Sequence, residues 1–315
     1  MTRVANDSAG LRPAPRLGGG LLLALLSAGS FGMSGALARG LLEAGWSPGA
    51  VVLVRLSVGA LALAPFALIA LRGRWWLLRA QIRPVLIYGA LGMAGTQFCY
   101  FSAVSTMDVA PALLIEFTAP VAIVGWLWLR RGQRPRPLTV LGACSAIAGL
   151  VFALDLASGA DIAWTGAAWA FAAMIGNAAY FLISGETDGV LPPITLAGAG
   201  LVLSAVILGV LGAIGILPMH ANFDPAVYAI GETPWWAPLV ALGVIAAAIA
   251  YTTGTAATRR LGSRLASFVA LIEVVASALF AWLLLDQQPG PAVIVGGLLI
   301  ITGVVLVRLG DRDVA

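Results

Sequence analysis

The sequence predicts an all-α integral membrane protein, with ten transmembrane helices arranged as two inverted five-helix repeats and both termini in the cytoplasm. Three observations predict this fold: the apolar composition, the series of long apolar segments, and the similarity between the two halves of the chain. Of the 315 residues, 60% are hydrophobic and only 10% are charged, and the mean hydropathy is +0.98. Because soluble domains carry about a quarter charged residues, this composition excludes a soluble enzyme, a disordered chain and a disulfide scaffold.

Ten segments are long and apolar enough to cross a bilayer, which takes about 20 residues in a helix. They are 17–38, 49–71, 84–107, 109–129, 137–154, 162–185, 192–217, 234–257, 265–285 and 290–307. The connections are short, so no segment is left to form a soluble catalytic domain. The first segment also resembles a cleavable signal peptide. Its apolar part is longer than usual, however, and its removal would break the symmetry of the ten, so we count it as a span.

The arginines predict the orientation of the spans. All 18 basic residues are arginines, and 16 of them lie in the terminal segments and connections on one side of the membrane. The other side carries only Arg39, and Arg55 lies within a span. Basic residues are enriched in cytoplasmic loops, so both termini are predicted to be cytoplasmic. The arginines form no single basic patch, which argues against a nucleic-acid partner.

An internal repeat relates 89–151 to 243–305 at an offset of 154 residues. Identical pairs include Gly89 with Gly243, Trp128 with Trp282, Pro135 with Pro289 and Gly142 with Gly296. Each repeat contains five spans, an odd number, so the second repeat begins on the opposite side of the membrane. Such inverted repeats are typical of secondary transporters, whose substrates bind near the midplane between the halves. The predicted organisation is a cytoplasmic tail at 1–16, a first repeat at 17–156, a second repeat at 162–307 and a second tail at 308–315.

Short motifs at corresponding places in the two halves carry a family resemblance. They are Ala119-Pro120 with Trp128 in the first half and Glu273-Val274 with Trp282 in the second. This pattern resembles the EamA module of the drug/metabolite transporter superfamily, from about residue 20 to residue 307. The chain departs from the module in Val274, where a proline is usual. It also departs in Gln133 and Gln287, where the loops usually carry glutamates.

Four segments are more narrowly similar to bacterial threonine/homoserine exporters. They are 54–56, 97–100, 114–120 and 180–185. The resemblance implies a secondary-active transporter of the bacterial cytoplasmic membrane that exports small metabolites by alternating access. Amino acids such as threonine and homoserine are the first expectation, and a drug or another metabolite is the alternative within the superfamily.

Other function classes fit the residues less well. A membrane enzyme would need a nucleophile with a base, or a metal cluster, and the single histidine and the absence of Cys/His spacing argue against both. We therefore predict no enzymatic activity, no metal and no cofactor. A channel builds its pore from symmetry or from rings of like groups, whereas two dissimilar halves fit a carrier. The sequence gives no oligomeric state, and the expected partners are a small-molecule substrate and the lipid bilayer.

Three ionisable residues, Arg55, Glu116 and Glu273, lie well inside predicted spans. A charge at the centre of a membrane helix costs about 2.5–3.5 kcal/mol on insertion scales, so such residues are usually functional. The two glutamates occupy the fourth span of each repeat, and the inverted fold could place both around one central cavity. Arg55 could form an ion pair with one of them or bind a substrate carboxylate. The remaining glutamate would be free to contact the substrate or to carry a coupling proton.

Pro120 predicts a kink beside Glu116. Proline lacks an N–H and crowds the carbonyl four residues earlier, which is that of Glu116. A carboxylate and a freed carbonyl on one helix face would suit an ammonium group. The alternative is a kink that only lets the helices pack.

Uncharged polar residues in three spans complete the predicted site. They are Gln97 and Tyr100 in the third span, Asn177 and Tyr180 in the sixth, and Tyr251, with Thr252 and Thr255, in the eighth. Hydrogen bonds between helices are the alternative role for each of them. Asn177 is the strongest candidate, because an amide in mid-span needs several partners. An amino acid, which needs both a cationic and an anionic contact, matches one arginine and two glutamates, whereas a sugar phosphate would need several basic residues.

Overall fold

The computed structural model describes residues 17–104, 106, 109–153, 163–186 and 191–311, and these residues are mostly helical. The first eight helices are α1 (Leu17–Glu43), α2 (Pro48–Ala70), α3 (Trp75–Ala80), α4 (Ile82–Gly89), α5 (Thr96–Val104), α6 (Val109–Glu116), α7 (Ala119–Arg131) and α8 (Pro137–Ala153). The others are α9 (Trp164–Glu186), α10 (Pro193–Ala213), α11 (Trp236–Gly243), α12 (Ala250–Ala270), α13 (Ile272–Leu285) and α14 (Pro291–Asp311). The predicted tail at 1–16 and the second half of that at 308–315 lie outside the described residues.

Seven helices in the described part of the chain are long and apolar enough to cross a membrane. Two shorter apolar helices, α8 and α13, match the predicted fifth and ninth spans. The predicted third span is divided between α4 and α5, and the predicted eighth and ninth spans both include parts of α12. Gly262, with φ 80° and ψ 158°, bends α12 between those two parts. The count of ten spans therefore stays a prediction, because several of the predicted spans are interrupted helices.

Equivalent irregularities recur in the two halves of the protein. A π-helical segment at 90–95 joins α4 to α5, and a second at 244–249 joins α11 to α12. The helical path is also interrupted between α6 and α7 at Phe117–Thr118, and between α12 and α13 at Leu271. Each later feature begins 154 residues after the earlier one, the same offset as the sequence repeat. The backbone geometry therefore follows the repeat more closely than the identities of the side chains do.

The equivalent helices α8 and α14 pack directly against each other. Ser145 donates a hydrogen bond at 2.9 Å to the carbonyl of Leu299, the residue 154 positions later. Gly149 lies against the backbone of Gly296. Contacts that advance along α8 move backwards along α14, so the two helices run antiparallel. Their close approach depends on the glycines, because a Cβ at either position would meet the facing backbone.

Each π-helical segment packs against a helix of the other half. The segment at 244–249 lies beside α2, and the segment at 90–95 lies beside α10. Gly59 of α2 faces the carbonyl of Gly243, and Gly89 faces Leu203 of α10. Each half therefore contacts the π-helical segment of the other half, and these contacts form the interface at the centre of the molecule.

A short antiparallel hairpin, β1 (Ala226–Tyr228) and β2 (Gly231–Thr233), covers one end of the bundle. Tyr228 is buried and donates a hydrogen bond at 2.7 Å to the carbonyl of Leu37 in α1. The backbone N–H of Ala229 donates to the carbonyl of Leu284 in α13, also at 2.7 Å. The hairpin therefore links α1 to α13. Burial raises the pKa of Tyr228 to about 12.

Candidate functional site

A central cavity of about 920 Å³ lies between the two halves. Of the eleven residues predicted for the site from the sequence, Thr252 and Thr255 are not among those that line it, and the other nine are: Arg55, Gln97, Tyr100, Glu116, Pro120, Asn177, Tyr180, Tyr251 and Glu273. They come from α2, α5, α6, α7, α9, α12 and α13, so the cavity depends on both repeats. The placement is a geometric finding, and the roles of these residues in transport stay predictions. Thr255, another polar residue of the eighth span, instead forms a buried 2.9 Å hydrogen bond with Tyr88.

The two glutamates flank the equivalent helix interruptions from opposite sides. Glu116 is the last residue of α6, and Glu273 is the second residue of α13, which begins directly after Leu271. The carboxylates are close enough to interact electrostatically. A helix favours negative charge at its N-terminus and positive charge at its C-terminus. Glu273 is therefore placed where its carboxylate is stabilised, whereas Glu116 stands at a helix end that favours a cation.

Pro120 lies in the first turn of α7, after the interruption at Phe117–Thr118. It has no N–H to donate to the carbonyl of Glu116, which is the physical reason for the kink predicted there. Thr118 stabilises the turn, because its hydroxyl donates to the carbonyl of Ile115 at 2.6 Å. The break is therefore larger than a kink, and it places Glu116 at a true helix end.

Arg55 does not form the ion pair that was one of its two expected roles. Its side chain is buried, with 9% exposure, and Nη2 donates a hydrogen bond at 2.7 Å to the carbonyl of Ala246. Within the described residues, neither Glu116 nor Glu273 forms a salt bridge with it, although Arg55 and Glu273 interact electrostatically. The π-helical segment at 244–249 supplies a backbone acceptor where a carboxylate was expected. The arginine Nε has no hydrogen-bond partner in the described part of the protein.

Asn177 and Gln97 are half-buried on the cavity wall. Among the described residues neither amide has a hydrogen-bond partner, so the alternative of a bond between helices is not seen for them there. The Asn177 amide can both donate and accept, and it shares the cavity with the Glu116 carboxylate. The two groups are available to a ligand.

Aromatic side chains form much of the remaining wall. The ring of Phe31 meets that of Tyr251 edge-on at 4.8 Å, and Tyr180 lies 5.8 Å from Tyr251. Phe101, Phe117 and Phe181 also line the cavity. These phenylalanines are not predicted from the sequence, because only polar groups stand out in an apolar span. Phe31 did carry a signal, since it is the single aromatic residue of α1.

The cavity extends towards one end of the bundle. Its lining reaches Arg39 in α1, Pro48 in α2 and the connection 287–290, all at the end that the arginine pattern assigns to the outside. Towards the opposite end the lining stops at Thr258 and Ser267. Beyond these two residues the helices pack against one another.

Packing between α1, α9 and α12 closes the end that is predicted to be cytoplasmic. Gly20 lies directly against Leu261, and Gly185 lies against Ser263. Arg259 donates a hydrogen bond to the carbonyl of Leu191. The structure therefore combines a cavity that reaches one end with helices packed at the other.

Comparison with known proteins agrees with this architecture. The EamA-like transporter family model matches twice, at residues 18–154 and 164–309. The aromatic amino acid exporter YddG of Ancylobacter novellus is 28% identical over 233 residues, which cover 73% of this chain and 77% of that protein. The threonine/homoserine exporter RhtA of Escherichia coli K12 is 26% identical over 281 residues, covering 86% and 85%.

A solved crystal structure is similar to this one with a TM-score of 0.73 and 26% sequence identity, covering 93% of this chain and 98% of that chain. The two family matches together span most of the sequence, and the relatives are named as exporters. Since both matches coincide with the halves that enclose the cavity, the chain belongs to the EamA-like transporter family, as a multi-pass transporter of the cell membrane and not an enzyme.

Proposed function

We propose that this transporter exports amino acids and that it carries them through the central cavity by alternating access. One observation carries the proposal. The cavity holds a carboxylate, Glu116, and an amide, Asn177, without partners among the described residues, and it also holds the guanidinium of Arg55. An amino acid presents an ammonium and a carboxylate a short distance apart, so it needs an acceptor and a cation in the same cavity.

The ammonium subsite is formed around Glu116. The carboxylate stands at the C-terminal end of α6, where the backbone carbonyls also favour positive charge. Asn177 can accept a further ammonium hydrogen through its amide oxygen. A charge-assisted hydrogen bond of this kind contributes about 1.5–3 kcal/mol, enough to select for a cationic group.

Arg55 provides the carboxylate subsite. It lines the cavity, and its buried Nε has no hydrogen-bond partner among the described groups. The Phe31 ring lies 5.8 Å from the guanidinium carbon and shields it on one side. A planar guanidinium suits a carboxylate better than an ammonium does, because it can donate two parallel hydrogen bonds.

The cargo side chain then meets an aromatic wall. Threonine and homoserine are the first candidates, because the resemblance and the relatives named RhtA favour them. Aromatic amino acids are the second candidate, and the aromatic lining favours them, with Phe31, Phe117 and Tyr251 on the wall. A relative named as an aromatic amino acid exporter adds to this second case.

Export also requires a driving force, and proton exchange is part of the proposal. An ammonium group and a proton would compete for the carboxylate of Glu116, with Glu273 as the second carboxylate of the pair. Each cargo molecule that leaves the cell would then be replaced on the carboxylate by a proton from outside. In proteoliposomes, an outward-acidic pH gradient is expected to accelerate amino-acid export several-fold. An export rate independent of the pH gradient would exclude proton coupling and leave exchange of one cargo molecule for another as the mechanism.

Counterflow in proteoliposomes loaded with a mixed amino-acid pool tests the function. We expect saturable uptake by the wild type, and at least a tenfold lower uptake by Glu116→Gln, corresponding to about 1.4 kcal/mol. Glu232→Gln is the matched control, because Glu232 is exposed in the β-hairpin, away from the cavity. Equal uptake by Glu116→Gln and the wild type would exclude Glu116 from the binding site. The absence of counterflow from a folded wild type would exclude amino acids as the cargo and favour drug-like cargo.

A further inference from the structure

A second, smaller space lies between α13 and α14, beside the central cavity. It has a volume of about 290 Å³ and is lined by residues of α13 and α14, by Pro289 between them and by Ala153 at the end of α8. Of the described residues that line it, only Trp282 carries a polar side-chain atom. This space, the α13–α14 groove, therefore suits a ligand without polar groups.

The rim of the α13–α14 groove faces the bilayer. Its large apolar side chains are exposed, namely Leu279 and Trp282 of α13 and Ile294, Leu298 and Ile301 of α14. In a multi-pass membrane protein, exposed apolar side chains on the membrane helices lie against lipid tails, which are as apolar as leucine. The groove therefore opens towards hydrocarbon.

The floor of the groove is shared with the central cavity. Five residues line both spaces, namely Ala153, Val274, Ala278, Pro289 and Val293. A single layer of mostly small side chains thus separates the two spaces. The wall of the central cavity is thin along this side.

The amino-acid pattern that makes the groove deep belongs to the second repeat. Two floor residues are smaller than their counterparts 154 positions earlier, and two rim residues are larger. The pairs are Ala278 with Val124, Gly297 with Ala143, Leu279 with Gly125, and Leu298 with Cys144. A small floor between large rims makes a deep groove, and the sequence of the first repeat does not have this combination.

The dimensions of the groove match a lipid tail. Between Val274 and Trp282 the groove follows α13 for about 12 Å, and half of the hydrocarbon core of a bilayer is about 15 Å thick. A helix from a second copy is about 10–12 Å across, too wide for a space of about 290 Å³. An empty groove would forfeit dispersion contacts, whereas the bilayer supplies acyl chains along the whole rim.

We propose that an acyl chain of an outer-leaflet lipid occupies the α13–α14 groove and completes the wall of the central cavity. The chain enters beside Trp282, near the end of α13 that the arginine pattern assigns to the outside, and a tryptophan there suits the boundary with the head groups. It extends inwards as far as Val274. The inference does not depend on which cargo is carried, so it can fail while the proposed function stands.

Photolabelling tests the occupant directly. The protein is placed, one copy per disc, in nanodiscs of phosphatidylcholine that carries a diazirine in one acyl chain, and mass spectrometry locates the labelled residues. We expect labels on Val274 and Gly297, which are buried in the floor of the groove. Labels confined to the exposed rim would overturn the inference. Labels on Ser277, which lines only the central cavity, would also overturn it, because the chain would then pass through the wall.

Gly297→Leu tests the site by filling the groove with a side chain of the protein. A Cβ on Gly297 would lie 3.4 Å from Val275, which is an ordinary contact. We expect the label on Val274 to fall at least tenfold. Gly125→Leu is the matched control at the position equivalent to Leu279, because a Cβ there meets nothing within 4 Å, and it should leave the label unchanged.

Gly297→Ala provides a milder change should the leucine variant fail to fold, which thermal unfolding would reveal. The added methyl group narrows the groove, and we expect about a twofold loss of label on Val274. Undiminished labelling of Val274 in a folded Gly297→Leu, or in Gly297→Ala where only that variant folds, would show that the acyl chain does not occupy the groove.

Discussion

The backbone carbonyl oxygen of Gly303 lies 2.7 Å from the position that a Cβ atom would take on Gly142. The two helices that carry these residues, α8 and α14, are the last helices of the two repeats, and they touch through their backbones. Real Cβ atoms do not approach a carbonyl oxygen this closely. The contact between the repeats therefore requires a residue without a side chain.

Gly142→Ala is expected to destabilise the protein by about 2 kcal/mol, because the new methyl group must push α8 away from α14. Thermal unfolding in detergent measures the change. Gly125→Ala is the control, since a Cβ there meets nothing within 4 Å. Similar unfolding temperatures for the two variants would show that the helices separate at no cost.

A disulfide at the closed end tests alternating access. A Cβ on Gly185 would lie 3.5 Å from the Cβ of Ser263, within the range of about 3.5–4.5 Å that disulfides need. In a background without Cys99 and Cys144, cysteines at these two positions should cross-link and stop transport. Reduction should restore it, and each single cysteine should have no effect. Full transport by the cross-linked protein would mean that this end does not open.

Asn177→Leu is expected to lower transport about tenfold without lowering the unfolding temperature, because the amide has no partner among the described residues. Asn222→Leu provides the opposite case. Its amide donates to the carbonyl of Ala44 at 2.7 Å outside the cavity, so this change should reduce stability and spare transport. Counterflow and thermal unfolding of both variants separate the two effects. Loss of stability in Asn177→Leu would assign that amide to packing.

The sequence located the cavity residues because ionisable and amide groups are costly inside a bilayer, whatever the details of the fold. The interruption near Glu116 was equally accessible, since Pro120 removes a backbone donor. The interruption at Leu271 was not, because Val274 stands where proline is usual and supplies no such signal. The two π-helical segments depend on packing between halves, as where Gly59 meets the Gly243 carbonyl, and no local pattern encodes that.

The partner of Arg55 shows a further limit of reasoning from residue types. The expected partner was a carboxylate, because only side chains can be counted along a sequence. The observed acceptor is the carbonyl of Ala246, which a π-helical segment presents to α2. Backbone acceptors of this kind become visible only when the helix geometry is known.

The β-hairpin gives a prediction for alkaline stability through Tyr228. Burial raises its pKa to about 12, so folding favours the neutral phenol. A group whose pKa is higher in the folded protein contributes its stability fully below its unfolded pKa of about 10. That stability declines as the pH rises from there through about 12. The wild type should therefore lose stability over this interval partly because Tyr228 ionises in the unfolded chain.

Tyr228→Phe isolates this contribution. At neutral pH it should cost about 1 kcal/mol, because the hydrogen bond to the carbonyl of Leu37 is lost. Phenylalanine cannot ionise, so the variant should lose less stability than the wild type between about pH 10 and pH 12, and the two curves should converge. Unfolding temperatures measured across that range provide the comparison. Parallel curves would show that the Tyr228 phenol is no harder to ionise in the folded protein than in the unfolded chain.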